Sequence, residues 1–230
     1  MKFLLRIVLI LAVAIAPSCL EIKEEVSLNK DGSGSYLMSI DMSEMMEMLQ
    51  GMMSDNEEVM EQAGMGKMDS TLQESANKLR ELEGISKVKH RVEGFSFSIG
   101  YDFTSVSALN SAQGESSSIG ALGMGVDPTN GGGEDNYGLD KRIFSRAPAP
   151  IADLMEGMSE EDASSIDMVK MFLGEASYTM TYRMPGKVKS TTNELSEIQA
   201  DGKTVITEVP MLDWLEGNAD IGNEIKFKKR

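Results

Sequence analysis

Cysteine, histidine and tryptophan occur once each in these 230 residues, as Cys19, His90 and Trp214. A lone cysteine excludes an internal disulfide and any cysteine-rich zinc site. A lone histidine leaves any serine nucleophile a single imidazole to serve as its base. Aromatic residues make up only 6%, so the core needs another filler, and 19 methionines supply it. Base is scarce too: 22 Lys and Arg stand against 37 Asp and Glu, a net charge of −15 with a pI near 4.5. A body of that sign repels phosphate backbones, which argues against nucleic acid as a partner. Long apolar runs are missing as well. The longest, Ile7 to Ala16, falls well short of the roughly 20 residues a membrane-spanning helix needs. With 41% hydrophobic and 26% charged residues the chain still has the makings of one generous domain or two small ones.

What is present begins at the N-terminus. Lys2 and Arg6 precede the apolar run, the shape of a secretory signal. Ala14-Ile15-Ala16 would suit ordinary signal peptidase, but Pro17 follows, and its locked ring disfavours cleavage there. The only cysteine then closes Ala16-Pro17-Ser18-Cys19, which resembles the lipobox of bacterial lipoproteins, with Ala in place of the commoner Leu three before the cysteine. That resemblance implies a signal peptide over residues 1–18 and a diacylglycerol on the Cys19 sulfur. The alternative is a free thiol, a liability in an oxidising compartment. Each buried CH₂ contributes about 0.8 kcal/mol, and stable anchoring takes two chains, a condition diacylation meets. Loss of residues 1–18 leaves 20 basic against 37 acidic residues, a net charge of −17. Anionic headgroups repel such a body, so lipid has to hold it at the membrane. Leu20 lacks the Asp that favours inner-membrane retention in enteric-type lipoproteins, which points to the outer membrane. Glu21, Lys23, Glu24 and Glu25 resemble the acidic leader of surface-exported lipoproteins; the alternative is a solvated strand edge.

Alternation and turn residues set the expected elements in residues 19–230, read as a single domain. Ile22, Val26 and Leu28, then Tyr36, Met38, Ile40 and Met42, flank Asn29-Lys30-Asp31-Gly32-Ser33-Gly34 and predict a β-hairpin. Asp41 with Glu44 reads as a capping box, and Met42, Met45, Met46, Leu49, Met52 and Met53 fall on one helical face. A second helix is expected from near Ser70 to Gly84, carrying Leu72, Ala76, Leu79 and Leu82. Val88 and Val92 oppose Lys87, Lys89 and Arg91; Glu93-Gly94 turns the chain into Phe95, Phe97, Ile99, Tyr101 and Phe103. Residues 110–138 are rich in Gly and Ser and predict a flexible insertion. After it come a strand at Lys141 to Arg146, a helix from Ser159 to Gly174 and a strand through Tyr178, Met180, Tyr182 and Met184. Pro185-Gly186 and Asp201-Gly202 turns, a strand at Val205 to Val209, a helical turn at Met211 to Glu216 and a final strand through Ile225 and Phe227 complete it. Hairpins linked through helices predict an α+β fold, an antiparallel sheet with amphipathic helices on one face.

Together these elements resemble bacterial lipoproteins built around the LppM-type domain: the cysteine followed at once by a strand, the Asp31-Gly32-Ser33-Gly34 hairpin, and the Tyr-rich strand running into Met184-Pro185-Gly186-Lys187-Val188. Asp201-Gly202-Lys203-Thr204-Val205 and Trp214 fit the same pattern. The resemblance covers most of residues 19–230. It implies a membrane-tethered domain with lipid or envelope-component binding. The chain departs from it in lacking the C-terminal transmembrane helix of mycobacterial members and in its Met-rich helices and Gly-rich segment.

Ten methionines lie between Met38 and Met68. Thioethers suit Cu(I), yet no His or Cys stands near them, and unbranched side chains also fill cores or line adaptable grooves. The groove reading makes Met45, Met46, Leu49, Met52 and Met53, facing Phe95, Phe97 and Tyr101, candidate contacts for an apolar or amphiphilic ligand. His90 reads as a half-buried structural residue. No serine elbow, zinc-protease motif or phosphate-cradling loop occurs, and pairs such as Glu160/Glu161 fit a solvated helix start. Lys226, Lys228, Lys229 and Arg230 form one basic cluster, read as a solvated strand end. The expectation is therefore a non-catalytic, lipid-anchored envelope protein without a cofactor, binding an amphiphile or a partner protein. A purely structural or assembly lipoprotein, or a copper binder, stands as the alternative.

Overall fold

A computed structural model of the chain describes residues 20–52, 68–120, 136–148 and 173–228. Alternation decides the first hairpin. Strand β1 (Glu21–Leu28) and strand β2 (Gly34–Asp41) turn every second residue inward and pair with Ile22 opposite Ile40 and Val26 opposite Tyr36. The turn between them is held by Asp31, whose Oδ1 accepts the Ser33 N–H at 3.1 Å and its hydroxyl at 2.7 Å. Gly34 is required where it stands, because a Cβ would press against the Ser27 carbonyl and the Phe103 ring. Asp41 then accepts the Ser43 N–H at 3.0 Å and starts helix α1 (Ser43–Met52).

Helix α2 (Met68–Glu81) buries Leu72, Ala76 and Leu79, and the expected hairpin of β3 (Ile85–Glu93) and β4 (Ser96–Phe103) follows. Ile85 and the pair Val88 and Val92 lie at odd and even positions, so a regular strand would send one set outward. A one-residue bulge between Ser86 and Lys89 resolves the conflict, with Lys87 taking a left-handed φ of 52° and pairing with Asp102 at 2.6 Å.

Helix α3 (Val106–Gly120) corrects the expectation of a flexible stretch from residue 110. Composition there is helix-poor, but Leu109 and Ala112 are buried, and Asn110 both donates to the Tyr137 carbonyl at 2.8 Å and accepts its N–H at 2.9 Å. Tertiary contacts thus override local propensity. Residues 121–135, and the helix expected from Ser159 except for its last residues, lie outside the described residues.

Strands β5 (Tyr137–Asp140) and β6 (Ile143–Arg146) form a hairpin across Lys141 and Arg142. Beyond lie β7 (Ser177–Arg183), β8 (Val188–Thr191), β9 (Ser196–Ile198), β10 (Thr204–Pro210), the short helix α4 (Met211–Leu215) and β11 (Asn223–Phe227). They sort into two sheets, β3-β4-β2-β1-β7-β10-β9 and β5-β6-β11-β8. The fold is α+β and mostly antiparallel, with one parallel pair among the described residues, β1 beside β7, that hairpin logic did not anticipate. That pair joins early and late parts of the chain in one sheet. Helices α2 and α3 pack against the β3-β4 end of its inner face, with Met45 and Met46 of α1 buried in the same core, and the second sheet covers the β1-β7 end, where Phe144 meets Tyr182 at a ring separation of 5.5 Å.

Candidate functional site

Glu24 occupies an inward slot on β1 between Ile22 and Val26, and it is fully buried. The acidic-leader and solvated-edge readings both placed it in water; the structure corrects them for this residue. Tyr178 and Tyr182, on the neighbouring strand β7, donate to its two carboxylate oxygens at 2.5 and 3.1 Å. From the second sheet Arg146 brings Nη2 to 3.9 Å from the same carboxylate and lays its guanidinium 5.0 Å from the centre of the Tyr137 ring. Burial first, and then the Glu24 charge, push the Tyr178, Tyr182 and Tyr137 hydroxyls well above their ordinary range, so all three remain protonated. Trp214 stacks on Tyr178 at 5.6 Å and closes the cluster from the α4 side.

Above this cluster, Arg146 and Tyr137 form part of the floor of an open cleft of about 1200 Å³. Its walls come from the start of α3, the β5-β6 hairpin, the loop before β9 and the segment from Pro210 to Glu224. The floor is tightly braced. Asn223 Oδ1 accepts the Thr191 hydroxyl at 2.6 Å, and Asn193 Nδ2 donates to the Asp220 and Gly222 carbonyls at 2.8 and 2.9 Å. The rim is different: Glu194, Asp213 and Glu224 are exposed there, and none of them makes an ion pair within 4 Å among the described residues. Leu139 and Leu195 also stand on the rim, 36% and 43% exposed. A braced polar floor under carboxylates and leucines can grip a ligand by charge and apolar contact.

The residues singled out as a groove lie elsewhere. Met45, Met46, Phe97 and Tyr101 belong to one buried core, with Phe95 packed partly against it. Between Met38, Leu72 and Phe97 there is no room for a water molecule. Leu49 and Met52 fall in the second half of α1, while Cys19 and Met53 lie outside the described residues. Sequence reasoning passed over Glu24 and Arg146 as a pair. Alternation was the available signal for Glu24, since Ile22, Val26 and Leu28 fix the inward parity; nothing local marked Arg146 as its partner.

No family model matches the chain, and no curated protein does. The folded domain of LppM from Mycobacterium tuberculosis, determined by NMR, is similar with a TM-score of 0.42 and 10% identity, over 94% of this chain and 94% of that one. At that identity the likeness extends to no particular residue.

Proposed function

We propose that this chain is a lipid-anchored, non-catalytic envelope protein of the outer membrane that holds an amphiphilic envelope component or a partner protein in the cleft. The observation that carries the reading is where the cleft stands relative to residue 20. Leu20 is fully buried and its carbonyl accepts the Ser177 N–H at 3.2 Å, while Met211 donates to the Ala176 carbonyl at 2.9 Å. Leu20, the start of β7 and the start of α4 therefore share one end of the long sheet, and the cleft wall at Pro210 and Asp213 belongs to that end. With Leu20 packed in the core, acyl chains on Cys19 would leave no flexible linker, and the cleft would be held close to the bilayer surface. The packed core of described residues around Met38, Met46 and Leu72 supports an assembly role for the helix-covered half, but it does not account for an open, braced cleft.

Mass spectrometry of the full chain extracted from membranes tests this, under denaturing and then native conditions. The expected result is a diacylated Cys19 together with a non-covalent adduct that disappears when Ser107, an exposed cleft-wall residue, is replaced by Trp. A bare Cys19 thiol in the exported form, or an adduct indifferent to Ser107→Trp, would contradict it.

A further inference from the structure

Which groups of the cleft are available to a ligand is decided by which are already engaged. Asn110, Asn193 and Asn223 are spent on neighbouring backbone and hydroxyl groups, and Arg146 faces Glu24. What remains on the rim is anionic and apolar: Glu194, Asp213 and Glu224, with Asp220, whose Oδ1 accepts the Gly222 N–H at 3.0 Å, beside them, and the leucines 139 and 195. These two leucines are half of the four large apolar side chains exposed among the described residues. Residues 121–135 contain three acids and no base, and 149–172 contain six acids and one lysine, so both carry the sign of the rim.

We infer that the cleft takes a basic peptide segment of a partner protein, one that alternates Lys or Arg with aliphatic side chains. The inference rests on the cleft being the binding site proposed above. Three features favour this occupant. The rim carboxylates match cations, and the surrounding field of a body with 37 acidic and 22 basic residues concentrates cations at a negative, concave surface. The leucines match aliphatic side chains on an extended segment. The volume of about 1200 Å³ also exceeds the ~300–1000 Å³ usual for small-molecule pockets.

The test uses the full lipidated chain in zwitterionic nanodiscs, titrated with a synthetic peptide of alternating Lys and Leu and, separately, one of alternating Glu and Leu, each read against empty discs. One variant neutralises the rim (Glu194→Gln, Asp213→Asn, Glu224→Gln). A second neutralises three exposed carboxylates on the long sheet (Glu25→Gln, Glu197→Gln, Glu208→Gln). All six positions are exposed, so both variants retain the fold. The Lys/Leu peptide should bind saturably, about tenfold more weakly to the rim variant and within about twofold of the parent for the other, while Glu/Leu does not bind. Equal losses in the two variants, or no saturable binding by Lys/Leu, overturn the inference. Glu/Leu, or the neutral detergent octyl glucoside, binding in a manner abolished by Ser107→Trp would overturn it while leaving the cleft as the site. Lys/Leu binding that Ser107→Trp leaves intact would overturn the cleft reading itself.

Discussion

The inner face of the long sheet has two covers, helices at one end and a second sheet at the other, and the two differ in what they tolerate. Under the helices the contact is mainly apolar, made by Met38, Met46, Leu72, Leu79 and Phe97, with the buried Ser75 and the Gln113–Tyr101 hydrogen bond of 2.9 Å as its polar exceptions, and flexible side chains can repack after a change. Under β5, β6 and β11 the contact holds a charge pair and a ring of tyrosines, and Asn110 of α3 braces the β5 backbone beside it, so that a removed partner leaves a buried group in want of one. The rigid, polar half carries the open cleft; in the soft half the described side chains around Met38, Leu72 and Phe97 leave no room for a water molecule. A lasting binding shape belongs where side chains are fixed by hydrogen bonds rather than where they slide.

Breaking the charge pair should show the largest effect. Glu24→Leu leaves Arg146 buried against tyrosines and is expected to cost about 3–5 kcal/mol in urea unfolding, part of it restored by adding Arg146→Met, the remainder being the Tyr178 and Tyr182 hydroxyls that lose their acceptor. Restoration sharpens the contrast, because it assigns that part of the cost to an orphaned charge rather than to lost packing. Next in size, Asn110→Ala strips both hydrogen bonds from the Tyr137 backbone and should cost about 1–3 kcal/mol, with faster hydrogen exchange at the Tyr137 amide. In the soft half, Met46→Leu at a fully buried position should cost less than about 1.5 kcal/mol. A cost as large as that of Glu24→Leu would erase the distinction drawn here.

The smallest effect belongs to neither cover. Asp201 accepts the Lys203 and Thr204 N–H groups and the Thr204 hydroxyl in the β9-β10 turn, and these bonds hold its carboxyl down at about 2, against an ordinary 3.8. A lowered folded pKa stabilises above the unfolded value and loses that contribution as pH falls through the folded one. Thermal unfolding should therefore drop more steeply between pH 4 and pH 2 in the parent than in Asp201→Asn.

Much of this was legible in sequence where a single rule governed. Period-two alternation located β1, β2, β4, β7 and β10, and turn residues located the hairpins at Asp31-Gly32 and Asp201-Gly202. The parallel partnership of β1 with β7 was not legible, since nothing local records which strand lies alongside which across some 150 residues. Helix α3 was hidden because its Gly and Ser content argues against helix, and only the distant Tyr137 backbone gives Asn110 its use. The cleft was hidden for the same reason: its walls come from four separated stretches. Glu24 was legible and was misjudged by its charge, although parity had already turned it inward.

The most direct measurement is in-cell photo-crosslinking, with a benzoylphenylalanine placed at Leu195 on the cleft rim and, separately, at Glu47 on the exposed face of α1. The account predicts a defined envelope adduct from Leu195 and none from Glu47. An adduct from Glu47 with none from Leu195 would move the binding surface to the methionine helix and contradict it.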